Sequence, residues 1–382
     1  MDNVTKQCVQ CKKNFIITAD EIALYNKLDM PQSKLCFDCL HQKHFAFWVW
    51  GKFRKGKSDL DGSSLITVMP EKSRFPLYTS KQWFSDEWDA LTYGQEYDPD
   101  RSFFEQLKEL QEKVPHPHQV GRNGINCDWC DDVWDSKNCY LSRSIANCED
   151  SCFILRVVEA KDACDITYGI KVDKSYDSTY CFGVSQLKYS LNCHQCIDSA
   201  FLFDCRNVQN SFMCWNLRNK SYCWNNKQLT KDEYNKKLSE YDLGSWKVVS
   251  ELYIKFEKIL REEAIHKENF NLKVNYSTGN YIRSCNRCIN TFYWENSENC
   301  YNCMRGLDSK DLINVTGNWK MELAGNNAHC VDGYFQKCNL WCSVCRFIEY
   351  CDQCDSCENC FGCVGLNKKN YCILNKQYTK EE

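Results

Sequence analysis

Residues 193–228 read CHQCIDSAFLFDCRNVQNSFMCWNLRNKSYCWNNKQ, and residues 342–377 read CSVCRFIEYCDQCDSCENCFGCVGLNKKNYCILNKQ. In the first stretch Cys196, Cys205, Cys214 and Cys223 stand nine residues apart, and in the second Cys345, Cys354, Cys363 and Cys372 do the same. The stretches align at a constant offset of 149 residues, Cys196 to Cys345. Phe212, Cys214, Leu217, Lys220, Tyr222 and Cys223 answer to Phe361, Cys363, Leu366, Lys369, Tyr371 and Cys372. Self-similarity of this kind marks a repeat architecture.

Asp198, Asn207, Asn216 and Asn225 each follow a cysteine by two, and Asn192, Asn210 and Asn219 each precede one by four. Asn and Asp tolerate left-handed backbone and so mark turns. Short runs of strand formers lie between them, Phe201-Leu202-Phe203 and Ser211-Phe212-Met213 among them. A short strand and a turn at fixed length predict a β-solenoid, with equivalent cysteines in an inward ladder and rungs about 4.8 Å apart. The rhythm begins at Cys130, Cys139 and Cys148 and breaks between Cys152 and Cys181, where charged residues and Gly169 suggest an irregular or longer rung. On this reading Cys214→Ser destabilises by placing a hydroxyl in an apolar column, on the order of 1–3 kcal/mol if it finds no partner, and Cys214→Ala is milder.

Thirty cysteines in 382 residues bear on the compartment. The polar start Met1-Asp2-Asn3-Val4-Thr5-Lys6 begins no signal peptide, and no apolar run nears the ~20 residues of a membrane span. An intracellular setting follows, where dense cysteine means metal ligands or small buried side chains more often than disulfides. A net charge of −3 gives the whole chain no pull toward nucleic acid or anionic membrane.

Cys8-x2-Cys11 and Cys36-x2-Cys39 form paired knuckles able to hold one Zn²⁺ tetrahedrally, with Zn–S near ~2.3 Å. Between them Phe15–Thr18 reads as a strand, and a helix from Asp20 carries Ile22, Leu24, Tyr25 and Leu28 up to Pro31. Cys8-Val9-Gln10-Cys11-Lys12-Lys13-Asn14-Phe15, Ile17-Thr18, Glu21, Tyr25, Pro31 and Cys36-Phe37-Asp38-Cys39 resemble the probable zinc-binding domain family. That family, a zinc ribbon or treble clef, occurs in cysteine-rich proteins of uncultured bacteria and large DNA viruses. The resemblance implies zinc as cofactor, and a cytoplasmic or virion location, but no activity. Phe37 stands where the family usually has proline, and Leu40-His41-Gln42-Lys43 where it has arginines.

The expected fold is α+β: a zinc ribbon (1–45), an aromatic connector with an amphipathic helix (46–118), a first cysteine-rich β-solenoid-like module (119–229), a helical cap (230–274) and a second module (275–382). In the connector Ser102 and Glu105 read as a capping box, Phe103, Leu107, Leu110 and Val114 as a helix face, and Trp83, Phe84, Trp88, Tyr93 and Tyr97 as its packing partners. Thr230 and Glu233 open the cap, and a longer helix spans about 246–267. No matching helix follows Glu382, so the last rung is expected to be open and to self-associate through residues 365–382.

Other candidate sites are less specific. Lys52, Arg54, Lys55 and Lys57, beside Trp48 and Trp50, suit a single-stranded nucleic-acid groove or simply a strand and solvated loop. Cys351, Cys354, Cys357, Cys360 and Cys363 suit a second metal or an iron–sulfur cluster, or else a solenoid corner with two cysteine ladders. His194 and His329 adjoin cysteines as candidate ligands or surface residues. Phosphate-loop, zincin and serine-hydrolase motifs are absent. The expected function is non-enzymatic: a zinc-binding structural or protein-interaction protein with an unknown protein partner and no membrane. Nucleic-acid binding and thiol redox chemistry are the alternatives.

Overall fold

The computed structural model describes residues 2–45, 51–285, 288, 291–292, 301–302, 309–317, 322, 325–326, 329–330, 341–342 and 346–382. Most of the chain winds into a parallel β-solenoid. From Gly121–Arg122 to Cys223–Trp224, strand is laid on parallel strand with partners twelve residues apart: Asp131 on Arg143, Leu155 on Thr167, Ile166 on Ser178, Ala200 on Phe212. The same step recurs at Gly279–Asn280 on Thr291–Phe292 and from Arg346–Glu349 through Glu358–Phe361 to Asn370–Ile373.

The backbone turns left-handed at almost every third residue: Asp132, Asp135, Asn138, Leu141, Ser144, Asn147, Asp150 and on to Asn225. A turn of the coil therefore has four short sides of three residues. One residue of each side points inward: Cys127, Cys130, Val133, Cys139, Ile145, Cys148, Ile154, Val157 and their successors form one buried column. The predicted Asn and Asp corners are confirmed, because Asn192, Asp198, Asn207, Asn210, Asn216, Asn219 and Asn225 all have positive φ.

The repeat length is corrected from nine to twelve. Nine residues is three sides, so successive cysteines of the rhythm sit on adjacent sides of successive turns. Stacked equivalents are twelve apart, such as Cys181, Cys193 and Cys205. The expected break between Cys152 and Cys181 is also corrected, for regular strands run through it, Leu155–Lys161, Cys164–Asp173 and Tyr176–Leu191. Its inward residues are Val157, Ala160, Ala163, Ile166 and Val172 in place of cysteine, and its corners mix Asp162, Asp165 and Asp177 with Phe153, Arg156, Tyr168 and Lys171. Gly169 faces inward, where a Cβ would meet Val172 Cγ2 at 2.7 Å.

So narrow a core takes small side chains with their own polar partners. Seven inward serine hydroxyls of the first coil donate to the carbonyl two residues back and accept the amide twelve ahead. Ser136 bonds Trp134 O at 2.8 Å and Cys148 N at 3.0 Å; Ser142, Ser190 and Ser211 do likewise. Cysteine substitutes as a soft version. Cys205 Sγ donates to Phe203 O at 3.4 Å and lies 3.7 Å from Cys214 O, while Cys214 Sγ accepts Asn226 N–H at 3.4 Å. The expected order at Cys214 is thereby reversed, since a serine there has ready partners and an alanine has none.

After the antiparallel end strand Lys227–Gln228, helices Lys231–Leu238 and Trp246–Glu262 cover the coil. The Thr230–Glu233 capping box forms as expected. Tyr234, Val249, Leu252 and Phe256 pack on Phe201, Phe212 and Trp224. Ser102 caps the helix Phe103–Lys113 without a side-chain hydrogen bond, which corrects the predicted box. That helix and the segment before it pack on the last turns of the coil. Leu107, Leu110 and Val114 pack on Val364 and Leu374, Ala90 on the inward cysteines of the last turns, and Gln95 N donates to Leu374 O at 3.1 Å. The expected open carboxy-terminal rung is thus corrected: the connector closes it.

Candidate metal centre

The amino-terminal segment builds a four-thiol cluster from two local turns. Strands Val4–Gln7 and Asn14–Ile17 pair antiparallel. The hairpin between them tightens through Lys12 N to Cys8 O at 3.0 Å and Cys8 N to Lys13 O at 2.9 Å, with Lys12 left-handed at φ 62°. Cys36 and Cys39 lie at the start of helix Phe37–Phe45, and Val9 N donates to Lys34 O at 3.1 Å, tying one knuckle to the other. The four Sγ atoms of Cys8, Cys11, Cys36 and Cys39 lie within 4.8 Å of one another. Tetrahedral sulfurs around an ion at ~2.3 Å stand about 3.8 Å apart, and Cys11 and Cys36 are 3.6 Å apart. Cys8, Cys36 and Cys39 are buried and Cys11 is exposed.

Electrostatics fit the same role. Burial opposes ionisation of Cys8, but amides of Cys36, Cys11 and Gln10 aim at its sulfur and bring it down to about 6. Burial and the three neighbouring sulfurs push Cys39 up to about 12. Crowded thiols cannot all ionise unaided, whereas a divalent cation neutralises them together. The cluster can hold a metal ion, and it is the group of this kind among the described residues.

The amino-terminal segment does not stand alone. Thr18 caps helix Ala19–Lys27 by accepting Glu21 N–H. Ile17, Ile22, Leu24, Tyr25 and Leu28 share a core with Tyr301 and Ile313, far along the chain. Tyr25 Oη donates to Asn314 at 2.6 Å, and Lys27 pairs with the buried Asp311 at 2.6 Å. His41 and His44, both buried, bond Asn302 O and Thr316 Oγ1. Sequence reasoning passed over these two histidines; their only signal was a spacing of three on the helix after the second knuckle.

The remaining candidates fall elsewhere. Lys52, Lys55 and Lys57 are exposed around the hairpin of Arg54–Lys57 with Ser64–Thr67. Arg54 is engaged internally, its Nε donating to Met69 O at 2.7 Å. Trp48 and Trp50 lie outside the described residues. Lys55 joins Lys81, Arg122 and Lys368 around a cleft of about 960 Å³ that Asp128 and Asp355 also line. Cys351, Cys354, Cys357, Cys360 and Cys363 point inward on successive sides. Each donates to a carbonyl two residues back, as Cys351 does to Glu349 O at 3.4 Å and Cys363 to Phe361 O at 3.4 Å. His194 stacks on Phe182 and meets Arg283 at 3.0 Å. Burial and the nearby arginines Arg283 and Arg206 hold it down to about 3. The side chain of His329 lies outside the described residues. Among the described residues no helix is long and apolar enough to cross a membrane.

No protein-family model matches the chain, and a search of curated proteins also finds no match.

Proposed function

We propose that this chain is a non-enzymatic zinc-binding scaffold whose solenoid offers long outer faces to a protein partner. The observation that carries this is the placement of the four-cysteine cluster. Its helices fasten onto Asp311, Asn314 and Thr316, so an ion there would lock the amino-terminal ribbon to a distant part of the coil. Four thiolates in tetrahedral reach favour zinc over harder cations, and the ribbon's resemblance to the probable zinc-binding domain family points the same way.

The duplicated design belongs to this reading. The offset that relates the two cysteine stretches carries inward residues onto inward residues, Cys214 to Cys363, Leu217 to Leu366 and Cys223 to Cys372. It also carries the end strand Lys227–Gln228 onto Lys376–Gln377. The Thr230–Glu233 box maps onto Thr379 and Glu382, which make the same reciprocal bonds.

Elemental analysis of the purified protein tests the metal, with about one zinc per chain expected. Cys36→Ser should lower that stoichiometry and strip hydrogen-exchange protection from Ala19–Lys27, since binding and folding are coupled. Unchanged zinc in that variant would falsify the assignment. A second reading, weak nucleic-acid binding, draws on the exposed Lys52, Lys55 and Lys57 and on the adjoining cleft that Lys55, Lys81 and Lys368 line, where Arg122 is already paired with Asp355. It requires a gel shift at low salt that is lost when Lys52, Lys55 and Lys57 are reversed in charge.

A further inference from the structure

In the first coil two cysteines break the rule that cysteine points inward. In the first coil the inward positions run Cys127, Cys130, Cys139, Cys148, Cys181, Cys193, Cys196, Cys205, Cys214 and Cys223, all in one frame of three. Cys152 and Cys164 lie in the next frame, which faces outward, and both are partly exposed. They are direct partners in the parallel ladder, with Tyr140 before Cys152 and Tyr176 after Cys164 in the same outer column. Their sulfurs are 3.0 Å apart.

We propose that Cys152 and Cys164 form an oxidation site, a disulfide stapling two adjacent turns on the outer wall. Parallel ladder partners lie about 4.8 Å apart, inside the ~4.4–6.8 Å that a disulfide accepts between Cα atoms. Side chains of one outer column point the same way, which already brings the sulfurs to 3.0 Å. The other stacked pairs differ in access. Cys181 and Cys193, and Cys351 and Cys363, are 0 % exposed and lie beyond the reach of an oxidant.

The oxidant is a small disulfide such as oxidised glutathione. The Cys152 thiolate attacks one glutathione sulfur, forming a mixed disulfide and releasing one glutathione thiolate. The Cys164 thiolate then attacks Cys152 Sγ and expels the second. Two protein thiols are oxidised, one glutathione disulfide is reduced to two thiols, and both protons pass to solvent or to the departing thiolates. Burial and the adjacent Cys152 push the Cys164 thiol up to about 12.

The inference is independent of the zinc reading, and its test keeps the ribbon out of the result. Zinc-supplemented full-length protein is incubated with oxidised glutathione, quenched with a thiol-blocking reagent, digested and mapped by mass spectrometry. The expected product is a Cys152–Cys164 linked peptide lighter by two hydrogens and reversed by a dithiol reductant. Cys164→Ser, an outer-wall change, should stop at a glutathione adduct on Cys152 and form no link. Failure of the linked peptide to appear, or links among inward cysteines at equal yield, overturns the proposal. So does an adduct-free Cys152 in the Cys164→Ser protein.

Discussion

Replacing Cys214 discriminates between an apolar interior and a hydrogen-bonded one. Cys214 is fully buried, donates to Phe212 O at 3.3 Å and accepts Asn226 N–H at 3.4 Å. Alanine removes the acceptor and leaves the half-buried Asn226 amide without it, costing about 1 kcal/mol. The void left by the sulfur adds about 1 kcal/mol, giving about 2 kcal/mol in all. Serine keeps both bonds in the geometry that Ser142, Ser190 and Ser211 already use, and loses only apolar contact, about 1 kcal/mol. Because a solenoid can open turn by turn, the assay is native-state hydrogen exchange at Asn226 and its neighbours, with a thermal melt as the global check. The reasoning fails if Cys214→Ala proves as mild as Cys214→Ser or milder.

Leu110 is 0 % exposed against Val364 and Leu374, so Leu110→Asp should cost at least about 3 kcal/mol. It should also strip exchange protection from residues 370–377, and unchanged protection there would show that the connector is not the cap. Gly365 has φ +67° with Val114 Cγ1 2.9 Å from where a Cβ would stand; Gly365→Ala should loosen the same turn by about 1–2 kcal/mol, read as a lower melting temperature. His118 accepts the Ser80 amide at 3.0 Å, and burial holds it down from 6.5 to about 4. The unfolded chain therefore takes up the proton first, and stability falls as pH drops from about 6.5 to 4, by up to about 3 kcal/mol for this residue. His118→Gln should flatten an acid-unfolding curve across that window, and an unaltered slope would contradict the assignment. Glu21 and Asp131, raised by burial to about 7 and about 6, run the other way and lose stability as pH rises through their window.

What the sequence determined by itself was local chemistry. Paired knuckles at Cys8, Cys11, Cys36 and Cys39 declare themselves because four ligands within forty residues can converge through two short turns. The Asn and Asp corners declare themselves because left-handed backbone suits few residue types. The capping box at Thr230 needs only one helical turn. The twelve-residue period was not legible, because cysteine marks only some inward positions and nine residues is merely three sides of a four-sided turn. Where Val157, Ala160 and Ile166 fill the column the cysteine signal is lost, and Phe153, Arg156 and Tyr168 interrupt the corner signal that Asp162 and Asp165 still carry. Only the stacked structure, with each amide bonded across the turn, compensates left-handed strain at such residues. Tertiary structure also decided what touches what at long range. The helix of residues 103–113 closes the carboxy-terminal turn, helix 19–27 docks on Asp311 and Asn314, and Cys152 meets Cys164 outside the core. An amphipathic face shows that a helix needs a partner, and the folded coil alone supplies the surface that meets it.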